Sequence, residues 1–160
     1  MNNLVIALAQ INTTVGALSA NADRILKQAH VAVCAGAHIV VFPELSLSGY
    51  PPEDLIFKHH FVEDCRRQLS RLAESLPKDR LVIVGSPSGA QGNAFNSAAI
   101  FCNGRMEAVY HKMLLPNYGV FDEKRVFHAG QKPMAIEFGG LRLGIHICED
   151  SWFLQEPPCS

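Results

Sequence analysis

The sequence has no marked excess of positive or negative charge. It also lacks cysteine pairs at the spacing of redox or metal sites, and it lacks long apolar runs. Lys and Arg total 14 against 15 Asp and Glu, giving a formal net charge of −1. A chain without basic excess has little to neutralise a nucleic-acid backbone or to hold an anionic membrane surface. No apolar run approaches the ~20 residues that span a bilayer. We therefore expect no nucleic-acid partner and no membrane association.

The number and spacing of the cysteines further limit the kinds of site that the chain can form. The five cysteines are irregularly spaced, and no CxxC occurs: Cys34, Cys65, Cys102, Cys148 and Cys159. This pattern argues against a disulfide framework or a zinc site, and His59-His60 also lacks ligand spacing, so no metal site is predicted. The N-terminus has neither the basic segment nor the long apolar core of a signal peptide. We expect a cytoplasmic protein with reduced thiols.

The order of apolar segments predicts an α/β fold. At 160 residues the chain has about the length of one domain. The predicted segments are, in order, strand 4–9, a helix that Asn21 or Ser19 caps and that runs through Val33, strand 38–42, a helix from about Phe61 to Leu76, and strand 81–85. The β-α-β order at the start makes the first two strands parallel neighbours, and Gly36 stands where the first helix ends.

The second half of the chain changes to hairpins. Asn103-Gly104 separates the apolar segments 98–102 and 106–110, and Gly139-Gly140 separates 134–138 from 141–147. Between the hairpins, residues 115–132 show no periodicity, and a loop of that length in a compact domain is usually functional. The mixture of β-α-β and hairpin connections predicts a layered α/β fold with a mixed sheet.

Three chemically useful residues occur at strand ends: Glu44, Lys112 and Cys148. Ligands in α/β folds bind outside the carboxyl ends of strands, so these side chains are expected to converge. A thiol becomes a nucleophile when a base takes its proton and a cation stabilises the thiolate. Glu44 is the candidate base, and Lys112 would also stabilise the oxyanion formed when sulfur attacks a carbonyl. The set predicts acyl transfer from an amide or nitrile through a thioester.

Each residue taken alone also fits a structural role. Cys148 fits a buried small residue, Glu44 a loop charge, and Lys112 a solvated strand end. His146 lies two residues before Cys148 and offers a Cys/His dyad, although packing within the sheet is its more favoured role. These alternatives stay open at this point.

Four segments carry a resemblance to a known family: 4–16 (LVIALAQINTTVG), 41–55 (VFPELSLSGYPPEDL), 96–127 (ending HKMLLPNYGVFDEKRVF) and 144–152 (GIHICEDSW). The chain resembles the nitrilase superfamily, and more closely the N-terminal glutaminase domain of bacterial glutamine-dependent NAD synthetases. The resemblance covers essentially the whole chain. It implies an αββα sandwich that is incomplete at the C-terminus in residues 1–160.

The resemblance also assigns roles. It makes Glu44 the general base, Lys112 the stabiliser of the oxyanion and Cys148 the nucleophile. Glu123 would position Lys112 and the base. The glutamine pocket would be lined by three further residues: Tyr118, Phe121 and Glu149. Alone, Glu123 and Glu149 would fit ordinary loop and first-turn charges, and the two aromatic residues would fit loop packing.

In function, the resemblance implies hydrolysis of glutamine without a cofactor. The ammonia would pass to a C-terminal synthetase domain that uses ATP and magnesium to make NAD from nicotinic acid adenine dinucleotide, in a homo-oligomeric parent. Residues 85–89 (GSPSG) lack the Lys-Ser/Thr ending of a phosphate-binding loop, so the ATP site is expected outside this chain. The alternatives are a stand-alone nitrilase-type amidase or carbamoylase and a non-catalytic fragment. Because the partner sheet is expected to be incomplete, an exposed apolar sheet face would make the isolated chain poorly soluble or self-associating. We also expect little or no glutaminase activity from the isolated chain.

Overall fold

The computed structural model describes residues 3–90 and 92–152, so Cys159 lies outside the described residues. The strands and helices follow the predicted order, with these bounds: β1 Ile6–Leu8, α1 Leu18–Cys34, β2 Ile39–Val41, α2 Phe61–Ser75, β3 Leu81–Ala90, β4 Asn93–Cys102, β5 Arg105–His111, α3 Glu123–Val126, β6 Met134–Phe138 and β7 Leu141–Ile145. Short 3-10 helices cover Glu53–Phe57 and Cys148–Ser151.

The strands form a mixed sheet, as the sequence predicts. Five of them lie in the order β1-β2-β3-β4-β5, and β6 pairs with β7 in a separate two-stranded sheet. The pairs β1–β2 and β2–β3 are parallel, whereas β3–β4 and β4–β5 are antiparallel. Both predicted hairpins form, around Asn103-Gly104 and Gly139-Gly140.

The described residues stack in an α–β–β arrangement. Helices α1 and α2 cover one face of the five-stranded sheet through a core that includes Ile25 and Leu72. On the other face, Ile39 and Tyr110 belong to a second core that the β6–β7 hairpin covers. Ile6 and Leu8 of β1 are 50% and 78% exposed. No helix within the described ranges is long and apolar enough to cross a membrane.

Strands β3 and β4 are longer than predicted. The expected limits were Gly85 and Ala98, but the pairing continues to Ala90 and Asn93. The intervening Ser, Pro and Gly residues are typical of loops, which is why the sequence signal ended early. Cross-strand partners supply the backbone hydrogen bonds of this extension, and such pairing overrides weak strand propensity.

The predicted cap of α1 is wrong. The helix begins at Leu18 after Ala17, and no side chain caps it. Asn21 is instead fully buried and donates from Nδ2 to the carbonyls of Thr14 (2.8 Å) and Leu47 (3.0 Å). Its side chain therefore ties the loop after β1 to the loop after β2. The predicted 115–132 loop is also interrupted, because it contains the short helix α3.

Gly85 sets the path of the chain after β2. A Cβ at this position would overlap the backbone of Pro43 and Leu45, so only glycine permits this approach. The backbone N–H of Leu47 also donates to the Gly85 carbonyl at 2.9 Å. This contact holds the segment that carries Glu44 tightly against β3.

We predict that Gly85→Ala destabilises the chain by about 1–3 kcal/mol, because the added methyl group forces the 43–45 segment away from β3. Urea unfolding followed by circular dichroism measures the change. Gly144→Ala is the matched control, since a Cβ there meets only the His146 ring, at 3.8 Å. Equal stability of the two variants would show that the close approach does not constrain the fold.

Candidate active site

The structure brings the three strand-end residues together. Glu44 follows β2, Lys112 directly follows β5, and Cys148 begins a 3-10 helix shortly after β7. The Lys112 ammonium lies 2.6 Å from Oε1 of Glu44. Glu44 and Cys148 line the same cavity, which has a volume of about 310 Å³. The parallel β2–β3 pairing and the antiparallel β3–β4 and β4–β5 pairings bring the carboxyl ends of β2 and β5, and so Glu44 and Lys112, to the same end of the sheet.

Lys112 is the centre of the site. The residue is only 1% exposed. Its Nζ donates to Glu44 and also to both oxygens of Glu123, at 3.1 Å and 2.9 Å. Burial lowers the pKa of Lys112, but the two carboxylates outweigh burial and raise it overall. The amine therefore stays charged in a site from which water is largely excluded.

One oxygen of Glu44 receives two hydrogen bonds. Besides Lys112, the side-chain amide of Asn96 donates to Oε1 at 2.6 Å. Within the described part of the chain, no hydrogen bond falls on Oε2, so this oxygen is available to accept a proton. Sequence reasoning missed Asn96, because a single Asn inside a strand carries no motif. The β4–β5 register shows its place, since the Asn96 carbonyl accepts from the backbone N–H of Lys112.

Glu123 lies at the start of α3 and is buried. Its Oε1 accepts a hydrogen bond from the Tyr50 hydroxyl at 3.1 Å as well as from Lys112. Burial raises the pKa of Glu123, although Lys112 acts in the opposite direction. Burial and the neighbouring Glu123 likewise raise the pKa of Tyr50, so the hydroxyl keeps its proton and remains a donor. Tyr50 is a second residue that the sequence did not single out.

Cys148 adopts a backbone conformation that side chains rarely occupy. Its φ is +47°, in the left-handed region, at the first residue of the 3-10 helix. The residue is exposed. Partial burial of the sulfur and the charge of Glu44 raise the pKa of the thiol, and Lys112 only partly opposes them. The nearby cation therefore does not lower this pKa below its ordinary value, so a base that accepts the proton, as the sequence predicts, is still needed.

The three residues predicted to line one substrate pocket border two different cavities, and neither is the cavity that Glu44 and Cys148 line. The Tyr118 hydroxyl donates to Oε2 of Glu149 at 2.9 Å, and these two residues line a cavity of about 680 Å³. Tyr118 is 59% exposed, whereas Glu149 is buried. Phe121 packs edge-to-face on Tyr118, with ring centroids 5.8 Å apart, but borders a different cavity of about 200 Å³ next to Tyr50.

Two neighbours of Cys148 differ from expectation. His146 was expected within β7 and packed in the sheet, but the strand ends at Ile145 and His146 is exposed. Asp150, which the sequence did not single out, is buried and accepts four hydrogen bonds. Among the described residues, no group of three or more His, Cys, Asp or Glu side chains is placed to hold a metal ion.

We predict that Lys112→Met destabilises the chain by about 3–5 kcal/mol near neutral pH, because two clustered carboxylates lose their counter-charge. Urea unfolding measures the loss. Burial raises the pKa of Glu123, so protonation of this acid removes part of the penalty at low pH, and the loss should be smaller at about pH 4 than at about pH 8.

Arg71→Met is the matched control. Arg71 pairs with Asp23 at 2.7 Å, but both side chains are largely exposed. Removing such a pair should cost about 0–1 kcal/mol. A Lys112 variant that lost no more than this control would show that the buried cation does not stabilise the fold.

Known proteins with similar sequences and structures place this site in context. The chain is 37% identical over 160 residues to a glutamine-dependent NAD(+) synthetase of Thermotoga maritima, covering 100% of this chain and 28% of that protein. A solved structure of glutamine-dependent NAD+ synthetase from Acinetobacter baumannii superposes with a TM-score of 0.86 at 36% identity, covering 92% of this chain and 28% of the other. The chain thus spans a little over a quarter of the length of these relatives.

A variant of the amidase from Nesterenkonia sp. AN1 is also similar, with a TM-score of 0.80 and 25% identity, covering 92% of this chain and 58% of the amidase. That structure shows Michael addition of acrylamide at the amidase's active-site cysteine. These neighbours confirm the nitrilase-like α/β fold. The carbon-nitrogen hydrolase sequence profile matches residues 5–156. The chain therefore belongs to the carbon-nitrogen hydrolase family.

Proposed function

We propose that this chain hydrolyses the side-chain amide of glutamine through a thioester on Cys148. The observation that carries the proposal is the buried Lys112 ammonium, held by Glu44 at 2.6 Å and by Glu123, beside the cavity that Cys148 lines. A base, a cation and a thiol at one cavity are what acyl transfer from an amide requires. The structural role that each residue fits alone does not explain their convergence.

In the first step, Glu44 accepts the thiol proton through Oε2 while the sulfur attacks the amide carbon. The carbonyl oxygen becomes an oxyanion, which the charged Lys112 stabilises. The C–N bond then breaks, Glu44 returns the proton to the departing nitrogen, and ammonia leaves. The acyl group remains on Cys148 as a thioester.

In the second step, water attacks the thioester. Glu44 takes a proton from this water, and Lys112 again stabilises the oxyanion. The C–S bond breaks, the proton returns to sulfur, and the acid product leaves. One amide and one water give one carboxylic acid and one ammonia, with no cofactor consumed. Glu123 keeps Lys112 in place in both steps and does not touch the reacting atoms.

The substrate assignment rests on the residues next to the nucleophile. Glu149 follows Cys148 directly and presents a carboxylate that would attract the α-amino group of glutamine. Tyr118 fixes one of its oxygens, at 2.9 Å. The similarity to glutamine-dependent NAD synthetases supports glutamine over other amides. We propose that the ammonia feeds ATP- and magnesium-dependent NAD synthesis by a synthetase domain, in a homo-oligomer.

A nitrilase-type amidase is the second candidate, because the chain also superposes on an amidase structure at 25% identity. The two functions differ in what the cavity recognises. An amidase of small substrates needs no counter-charge for an α-amino group, whereas Glu149 would supply one from the cavity that it lines with Tyr118. Competition between glutamine and propionamide for Cys148 distinguishes them.

We predict that 6-diazo-5-oxo-L-norleucine, an electrophile shaped like glutamine, labels Cys148 selectively. Mass spectrometry of tryptic peptides locates the label. Glu44→Gln should slow labelling by about 100-fold or more, because a missing general base typically costs 10²–10⁴ in rate. Glutamine, but not propionamide, should protect the thiol.

Cys34 is the internal control, because it is also exposed but lies at the end of α1, away from the site. Labelling of Cys34 at the rate of Cys148 would refute a specific site. Protection by propionamide as strong as that by glutamine would favour the amidase.

A further inference from the structure

Asp150 has the most complete set of hydrogen bonds among the side chains near the site. The residue is 1% exposed. Its Oδ1 accepts from the backbone N–H groups of Met113 (3.0 Å) and Leu114 (2.8 Å). Its Oδ2 accepts from the hydroxyl of Tyr110 (2.8 Å) and the backbone N–H of Ile147 (3.0 Å). Both oxygens of a buried carboxylate are thus fully used.

The donors belong to two distant parts of the chain. Tyr110, Met113 and Leu114 lie around Lys112, at the end of β5. Ile147 directly precedes Cys148, just beyond the end of β7 in the other sheet. The carboxylate therefore joins the segment that carries the stabilising cation to the turn that carries the nucleophile.

The backbone conformation of the turn at Cys148 needs hydrogen bonds of this kind to hold it. Its left-handed φ of +47° is unfavourable for a residue with a Cβ, so surrounding contacts must hold it. Asp150 contacts Ile147 twice, since its side chain accepts from the Ile147 N–H and its own N–H donates to the Ile147 carbonyl at 3.1 Å. The side chain also fixes the far end of the link through Met113 and Leu114.

We propose that Asp150 is a positioning residue, which holds the Cys148 sulfur in register with Lys112 and Glu44 by joining the two segments. The proposal rests on the proposed function, because it assigns Asp150 to the same thioester chemistry. Asp150 acts through its geometry, and it touches neither the sulfur nor the substrate. A lost link should leave the fold in place and slow the reactions of the sulfur.

The test measures the rate of Cys148 alkylation by iodoacetamide in the chain and its variants. Asp150→Asn keeps the shape but cannot accept at both ends, because one oxygen becomes an N–H donor that faces other donors. We expect the rate at Cys148 to fall by about 100-fold, as a misplacement of ~1 Å typically does. Asp150→Glu keeps the charge but not the length, and should not restore the rate.

Cys65 and Cys34 serve as internal reporters. Cys65 is fully buried in the helix-side core, so its alkylation reports unfolding. Cys34 is exposed and should react equally in every variant. Asp23→Asn is the matched control for loss of a carboxylate, because Asp23 pairs with Arg71 at the surface and lies outside the site.

If Asp150→Asn exposes Cys65, Tyr110→Phe carries the test instead, since it removes one donor to Oδ2. Loss of one hydrogen bond should slow Cys148 about fivefold without labelling of Cys65. A folded Asp150→Asn with wild-type alkylation, or in the unfolded case an unaltered Tyr110→Phe, would overturn the positioning role and leave the proposed function standing. A wild-type Cys148 that reacts no faster than Cys34 would instead count against the proposed function itself.

Discussion

The Lys112 ammonium is buried and stays charged only because two carboxylates lie against it. Removing an ion of this size from water is costly, and a single partner rarely offsets that cost. Glu44 and Glu123 provide two partners, at 2.6 Å and 2.9 Å. The same contacts orient Glu44, since Lys112 and Asn96 both occupy Oε1. One electrostatic requirement of the core thereby determines which oxygen of Glu44 is left without a hydrogen bond from the described residues.

The geometry of the sheet decides which side chain can lie beside the Glu44 and Glu123 carboxylates. Alternation along β5 places Tyr110 and Lys112 on the face that the β6–β7 hairpin covers and His111 on the helix face. His111 accordingly bonds through its ring to Ser97, at 2.8 Å, and not to the site. A slip of one residue in the β4–β5 register would bury the imidazole where the ammonium now lies. The strand pairing therefore determines which side chains form the site. The close approach at Gly85 brings Glu44 within reach of Lys112.

The convergence of Glu44, Lys112 and Cys148 was predictable because strand ends in α/β folds converge, and each of the three stands at or just beyond one. The residues that hold these side chains in place were not predictable from the convergence of strand ends. Asn96 lies inside a strand among small polar residues, and Asp150 resembles any first-turn acid until its four donors are placed. Those donors come from segments separated by more than 30 residues, which no local pattern links. The missed extension of β3 and β4 has a similar origin, since distant pairing outweighed a loop-like composition.

The charge balance of the site bears on how the proposed reaction would begin from a protonated thiol. Glu44, Glu123 and Lys112 together already carry a net negative charge, so loss of the Cys148 proton to water would add a second negative charge near Glu44. This repulsion and partial burial raise the pKa of the thiol. Transfer of the proton to Glu44 instead moves the negative charge from carboxylate to sulfur and leaves the total unchanged. In the proposed reaction, Lys112 would stabilise the negative sulfur and the oxyanion, but its 2.6 Å contact with Glu44 opposes neutralisation of that carboxylate. The negative charge of the two carboxylates, rather than the cation, therefore favours internal proton transfer over simple ionisation of the thiol.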